Sequence, residues 1–278
     1  MDKNPAQSAV TPSAQSKENS LLVPGLCSLT LKQCAPREVL DLALRGGLET
    51  IEWGGDVHVP HGDINTAMQV GLLTRDHGLD VAAYGSYYRL AASPADGLYF
   101  SAVLASAVAL QTKAIRVWAG NRGSEDADPR WRKEVIQDAL HCADLASEKG
   151  ITICYEFHGG TLTDTLESTC DLLAATEHPF IKTLWQPPHG RSLEECLNGL
   201  RTLARRIHHV HGFHWWPDPS HRLPLRAGMD RWTAYVSELR AFGLDANILL
   251  EFVAGDSPQA LTDDALFLNE ILRAPARP

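Results

Sequence analysis

The chain has 278 residues, 44% of them hydrophobic and 21% charged, enough to bury a sizeable core. Its 34 Asp+Glu against 25 Lys+Arg leave a net charge of −9, the wrong sign for tracking a polyanion, so nucleic acid is not an expected partner. No apolar run approaches the roughly 18 residues a membrane span requires, and residues 1–20 carry no hydrophobic signal segment, so a cytoplasmic protein is expected.

Residues 1–20, rich in Ala, Ser, Gln, Asn and Pro, have too little apolar surface to offset the entropy of ordering and read as a disordered tail, leaving residues 21–278 as a single domain. From there short β-rich runs alternate with helical patterns. The strand candidates are residues 21–29, 48–53, 79–84, 114–119, 151–157, 181–186, 207–213 and 247–253. Ser93-Pro94, Asp128-Pro129 and Ser257-Pro258 place a capping side chain before a proline whose missing N–H costs nothing at a first helical position. Gly47, Gly78, Gly150 and Gly243 stand where a helix would end in a left-handed residue just before a strand.

Eight βα units predict a parallel sheet with helices outside it, closed into a (β/α)8 TIM barrel. A doubly wound open sheet would want a Gly-rich phosphate turn after the first strand, and SLTLKQCAP (28–36) has none. In a barrel, chemistry sits at the C-terminal ends of the strands. The six cysteines (27, 34, 142, 154, 170, 196) include no C-x-x-C pair, so reduced thiols are expected, with Cys154 and Cys170 as small core residues.

Four strand ends carry polar residues inside otherwise apolar runs: Glu156, Gln186, His211 and Glu251. A carboxylate pointed into a barrel costs several kcal/mol unless it is paired, hydrogen-bonded or bound to metal. Two carboxylates, an imidazole and an amide oxygen make a hard, oxygen-dominated donor set, suited first to Mn²⁺ or Mg²⁺, with Co²⁺ and Zn²⁺ as alternatives.

With these residues in order along a barrel pattern, the chain resembles the sugar phosphate isomerase/epimerase family of xylose isomerase-like TIM barrels, which includes D-tagatose 3-epimerase and hydroxypyruvate isomerase. The resemblance covers about residues 21–273. It implies metal ligands Glu156, Gln186, His211 and Glu251, with Glu156 and Glu251 also moving protons on opposite faces of a carbohydrate substrate. In Gln-Pro-Pro-His the chain departs from the family's D-x-x-H, so residue 186 is a neutral ligand and His189 the implied substrate contact. The family's stretch after the seventh strand resembles Arg222, Gly228, Asp230 and Trp232, which implies that Arg222 reaches the substrate.

Other readings stay open at this stage. Glu52, ending the second strand, faces either a substrate hydroxyl or a partner such as Arg116. His58, His61, Tyr84, Tyr87 and Trp118 are candidates for the mouth; His209 shares the face of His211 but lies lower, and His208 faces the helices. Trp215 and Trp216 are placed to stack on a ligand or on a second subunit of a homo-oligomer.

The implied chemistry is an isomerase or epimerase that removes a proton next to a carbonyl, the metal stabilising the enediolate. A lyase, dehydratase or C-glycoside-cleaving enzyme using the same enolisation, and a non-catalytic carbohydrate-binding barrel, are the alternatives. The endonuclease IV relatives of this fold need a further His at the fourth strand end and a basic face, where this chain has RVWAG (116–120) and a charge of −9.

Overall fold

A computed structural model of the protein describes residues 21–274; the tail expected over residues 1–20 lies outside the described residues. Around the barrel run β1 (Leu22–Cys27), β2 (Thr50–Gly54), β3 (Asp80–Arg89), β4 (Ala114–Trp118), β5 (Thr152–Glu156), β6 (Ile181–Trp185) and β7 (Ile207–Gly212). A short hairpin that the sequence pattern did not announce, β8 (His214–Trp215) and β9 (Arg222–Leu223), precedes the last barrel strand, β10 (Ala246–Leu250). β10 pairs in parallel with β7 and β1, which closes the barrel.

The helices α1 (Pro36–Arg45), α2 (Ile64–Asp76), α3 (Phe100–Leu110), α4 (Pro129–Ser147), α5 (Leu166–Ala175), α6 (Leu193–Leu203), α7 (Met229–Ala241) and α8 (Pro258–Arg273) surround the sheet. Asp128 caps α4 by accepting from the Trp131 N–H at 2.8 Å, and Ser257 caps α8 through Ala260 at 3.1 Å. Gly47, Gly78, Gly150 and Gly243 all have positive φ, between 63° and 75°, as expected of residues that reverse the chain after a helix. Ser93-Pro94 is the exception. Its hydroxyl accepts from the Arg89 N–H at 2.8 Å instead of capping a helix, the proline opens a single 3₁₀ turn, and α3 starts later, at Phe100.

Strand period 2 sorts the side chains into two layers. The outward set, including Ile51, Trp53, Ile115, Val117, Ile153, Tyr155, Trp185, Val210 and Ile248, joins the helices in the main apolar core. The inward set is different: a small apolar plug of Ala83, Ala114, Cys154 and Leu184 fills the middle of the barrel. Above that plug, toward the C-terminal strand ends, the inward residues become charged.

Candidate active site

Two residues beyond Ala114 and Cys154, period 2 brings Arg116 on β4 and Glu156 on β5 into one buried cluster with Glu52 on β2 and His211 on β7, each at 3% exposure or less. Gln186 and Glu251 follow β6 and β10 directly and are buried as well. The imidazole of His211 stands at the centre. Its Nε2 meets Glu52 Oε2 at 3.2 Å, while Nδ1 faces Gln186 Oε1 at 3.2 Å, Glu251 Oε2 at 3.3 Å and Glu156 Oε1 at 3.9 Å.

This arrangement is a test of whether a cation fits. With its proton on Nε2, donated to Glu52, the ring turns an Nδ1 lone pair toward three oxygen acceptors. Like-facing lone pairs repel, and the conflict is relieved by a second proton on the ring or by a metal ion among the four groups. Glu156, His211 and Glu251 offer ligand atoms that lie within 4.8 Å of one another. Burial alone would lower the basicity of His211, but Glu251 and Glu52 outweigh it and hold its pKa well above the ordinary value. The donor set therefore suits a hard divalent ion, with Glu52 as the carboxylate that fixes the ring's orientation.

Arg116 ties the carboxylates together. Its Nε donates to Glu52 Oε1 at 2.7 Å and its Nη1 donates to Glu156 Oε2. Trp118 Nε1 donates to that same Glu156 oxygen at 2.6 Å, and its ring stacks on His158 at 4.5 Å. Burial would raise the pKa of Glu52 and of Glu156; Arg116 and then His211 reverse this and hold both below the usual carboxylate range.

Of the two partners open to Glu52 from sequence, the protein supplies Arg116. That role for Arg116 was legible only as an outline: an arginine inside the apolar run AIRVWA, two residues before Trp118, has to point inward and find an acid. His158 was not anticipated.

The rim is aromatic. His189 stacks on Trp215 at 5.0 Å with the rings 3° from parallel, and Phe213 stacks on Trp215 at 4.4 Å. Arg222 lies over Trp215 and Phe252, 5.0 and 4.6 Å from their centroids, with Nη1 donating to Asp256 Oδ2 at 2.9 Å. Two other residues of its motif are structural. Trp232 is buried and donates to the Phe213 carbonyl at 3.1 Å, and a Cβ on Gly228 would meet His214 Nδ1 at 2.5 Å. Trp216 stands apart, 38% exposed, with Arg231 4.4 Å from its ring centroid. His58 bonds Ser28 Oγ and the Cys34 carbonyl, and His61 bonds the Tyr84 hydroxyl, so both support the loop after β2.

Comparison with known proteins matches a family model, described as xylose isomerase-like TIM barrel, to residues 40–271. The chain belongs to that family. A 3-dehydroshikimate dehydratase of Bacillus anthracis is 36% identical over 72 residues, which is 26% of this chain and 26% of that enzyme, so the match spans about a quarter of the relative. A probable 3-DHS dehydratase of petrobactin synthesis from the same organism superposes with a TM-score of 0.74 at 20% identity, covering 90% of this chain and 98% of that one. D-allulose 3-epimerase from a Methylomonas species, solved with D-allulose, gives 0.69 at 15% identity over 94% and 99% of the two chains. A family member from Mycobacterium smegmatis in complex with magnesium gives 0.69 at 13% identity over 92% and 97%. At these identities the solved structures establish the shared fold. Among the described residues no helix is long and apolar enough to cross a membrane.

Proposed function

We propose that this barrel is a divalent-metal-dependent enzyme that removes a proton from a carbon next to a carbonyl of a sugar or polyol-derived substrate. The supporting observation is the convergence of Gln186, Glu251 and Glu156 oxygens, 3.2 to 3.9 Å away, on Nδ1 of His211. Those four residues would hold the ion, Mn²⁺ or Mg²⁺ by the hardness of the donors. When bound, the ion supplies positive charge to stabilise the enediolate that develops as the proton leaves.

The two glutamates are not equivalent as bases. Glu156 Oε2 already accepts from Arg116 and Trp118, which lowers its proton affinity, whereas Glu251 meets no arginine in the cluster. Glu251 is therefore assigned the proton transfer, and Glu156 acts chiefly as a ligand. One effective base suits an isomerisation or the loss of water from the neighbouring carbon, and the local likeness to a dehydratase supports the second. Epimerisation with both glutamates acting from opposite faces is the second reading, favoured by the presence of both in one site. His189 and Arg222 are assigned to the far end of the substrate, against the aromatic rim.

The test is elemental analysis of the purified protein, followed by incubation with ketoses and with 3-dehydroshikimate in D₂O. The reading predicts about one metal per chain, with either deuterium uptake or a dehydrated product that metal removal abolishes. Metal-free protein that remains fully active, or loaded protein that gives neither proton exchange nor a dehydrated product, would overturn it.

A further inference from the structure

The guanidinium of Arg116 is 1% exposed, yet its Nη2 has no hydrogen-bond partner, and the same is true of the buried hydroxyl of Tyr87. The two side chains are in contact, the Arg116 Cζ lying 4.3 Å from the centroid of the Tyr87 ring. Leaving two buried polar groups unmet costs roughly 1–3 kcal/mol each, so the pair calls for an acceptor.

The surrounding backbone is shaped to create this pair. The register between β3 and β4 shifts between Gly85 and Tyr88, a bulge that re-aims the side chains at this strand end. Within it Tyr87 adopts φ 53°, a strained value for a residue with a Cβ. Below it, a Cβ on Gly85 would come within 2.6 Å of Glu52 Oε1 and 2.7 Å of Arg116 Nη2, so only glycine lets the guanidinium lie where it does.

We infer that Arg116 Nη2 and the Tyr87 hydroxyl form a subsite for an uncharged oxygen of the substrate, a hydroxyl or carbonyl of a polyol chain. The inference deepens the enolising reading above and rests on it for the substrate class. An uncharged acceptor is favoured over a carboxylate because Glu52 and Glu156 already engage the charge of the guanidinium. A substrate carboxylate here would face those acids across a low-dielectric site.

The test compares xylitol and xylonate, equal in carbon number but differing in charge, as probes titrated into the Mg²⁺-loaded full chain and followed by ligand-observed NMR. Xylitol is expected to bind more tightly than xylonate, and Tyr87→Phe, which keeps the ring over Arg116, to weaken xylitol about three- to tenfold. Equal xylitol affinity in the Tyr87→Phe protein, tighter binding of xylonate, or no xylitol binding by folded protein would each overturn the subsite. Failure of the enolising reading looks different: proton exchange and dehydration would both be absent while the Tyr87-dependent xylitol binding remained.

Discussion

His209 and His211 sit two residues apart on the same face of β7, and their surroundings give them opposite chemistry. His209 is buried near the N-terminal end of the barrel against the Ala82 carbonyl at 3.1 Å, the His208 ring at 3.0 Å and the Asn247 N–H at 3.3 Å. Burial, reinforced by His208, pushes its pKa down to about 3, so it stays neutral. His211, equally buried, lies among Glu52, Glu251, Glu156 and Gln186 and is driven the other way. Residue type and strand face are identical; the neighbours set the chemistry, a carbonyl, an amide and a second imidazole around His209, carboxylates around His211.

The largest effect should come from breaking the upper site alone. His211→Ala is expected to lower kcat/KM by a factor on the order of 10³ or more, about 4 kcal/mol of transition-state stabilisation, and to empty the metal site. His209→Asn should retain the metal and lose only about 1–3 kcal/mol of folding stability through its unmet partners. Metal content by elemental analysis and thermal melts separate the two; comparable metal loss in both variants would erase the distinction between the layers.

Next in size is Arg116, the guanidinium that bridges Glu52 and Glu156. Replacing it with Met preserves much of its volume but strands two buried carboxylates, and removing one partner of a buried ion pair costs about 3–5 kcal/mol. Urea melts of Arg116→Met should show that loss, with partial recovery in Arg116→Met/Glu52→Gln. No recovery in the double variant would mean that the arginine matters through packing and not through charge.

All eight barrel strands were readable from the period of apolar runs and their glycine stops, because every βα unit repeats the same local chemistry. The polar residues at strand ends stood out for a related reason: Glu156, Gln186, His211 and Glu251 interrupt apolar runs where burial penalises them. What escaped was local backbone geometry. The Gly85–Tyr88 register shift and the start of α3 at Phe100 depend on hydrogen bonds such as Ser93 Oγ with the Arg89 N–H, which no periodicity encodes. Arg222 was placed by motif spacing alone, and spacing does not reveal that Asp256 takes up its Nη1.

The contrast also applies to acids and yields a pH prediction. Asp264, in α8, accepts the Leu225 N–H at 2.8 Å but has no arginine like that of Glu52, and burial raises its pKa to about 6 from an ordinary 3.8. The folded state therefore holds a proton there that the unfolded chain has released, and stability from this group declines as pH rises from about 4 through about 6. Asp264→Asn keeps the acceptor without the charge and should gain about 1–2 kcal/mol over wild type at pH 7, after allowing for solvent screening, with little difference at pH 4. Parallel thermal melts at the two pH values check the sign; a gain confined to pH 4 would refute it.

The smallest and most discriminating change is Gln186→Asp. Its side-chain oxygen lies 3.2 Å from His211 Nδ1, within the group proposed to hold the ion, so an anionic oxygen at this position should tighten Mn²⁺ binding about tenfold, or about 1.4 kcal/mol. Asp is one methylene shorter, which leaves the oxygen farther back and makes tenfold an upper expectation. Turnover should move in the opposite direction, because an added anion reduces the effective charge available to stabilise the enediolate. Calorimetric titration of Mn²⁺ into both proteins, with substrate C–H exchange followed in D₂O, reads the two effects separately. Tighter binding with slower exchange would establish Gln186 as a neutral ligand suited to rate; unchanged Mn²⁺ affinity would remove residue 186 from the ligand set and leave Glu156, His211 and Glu251 to hold the ion with water.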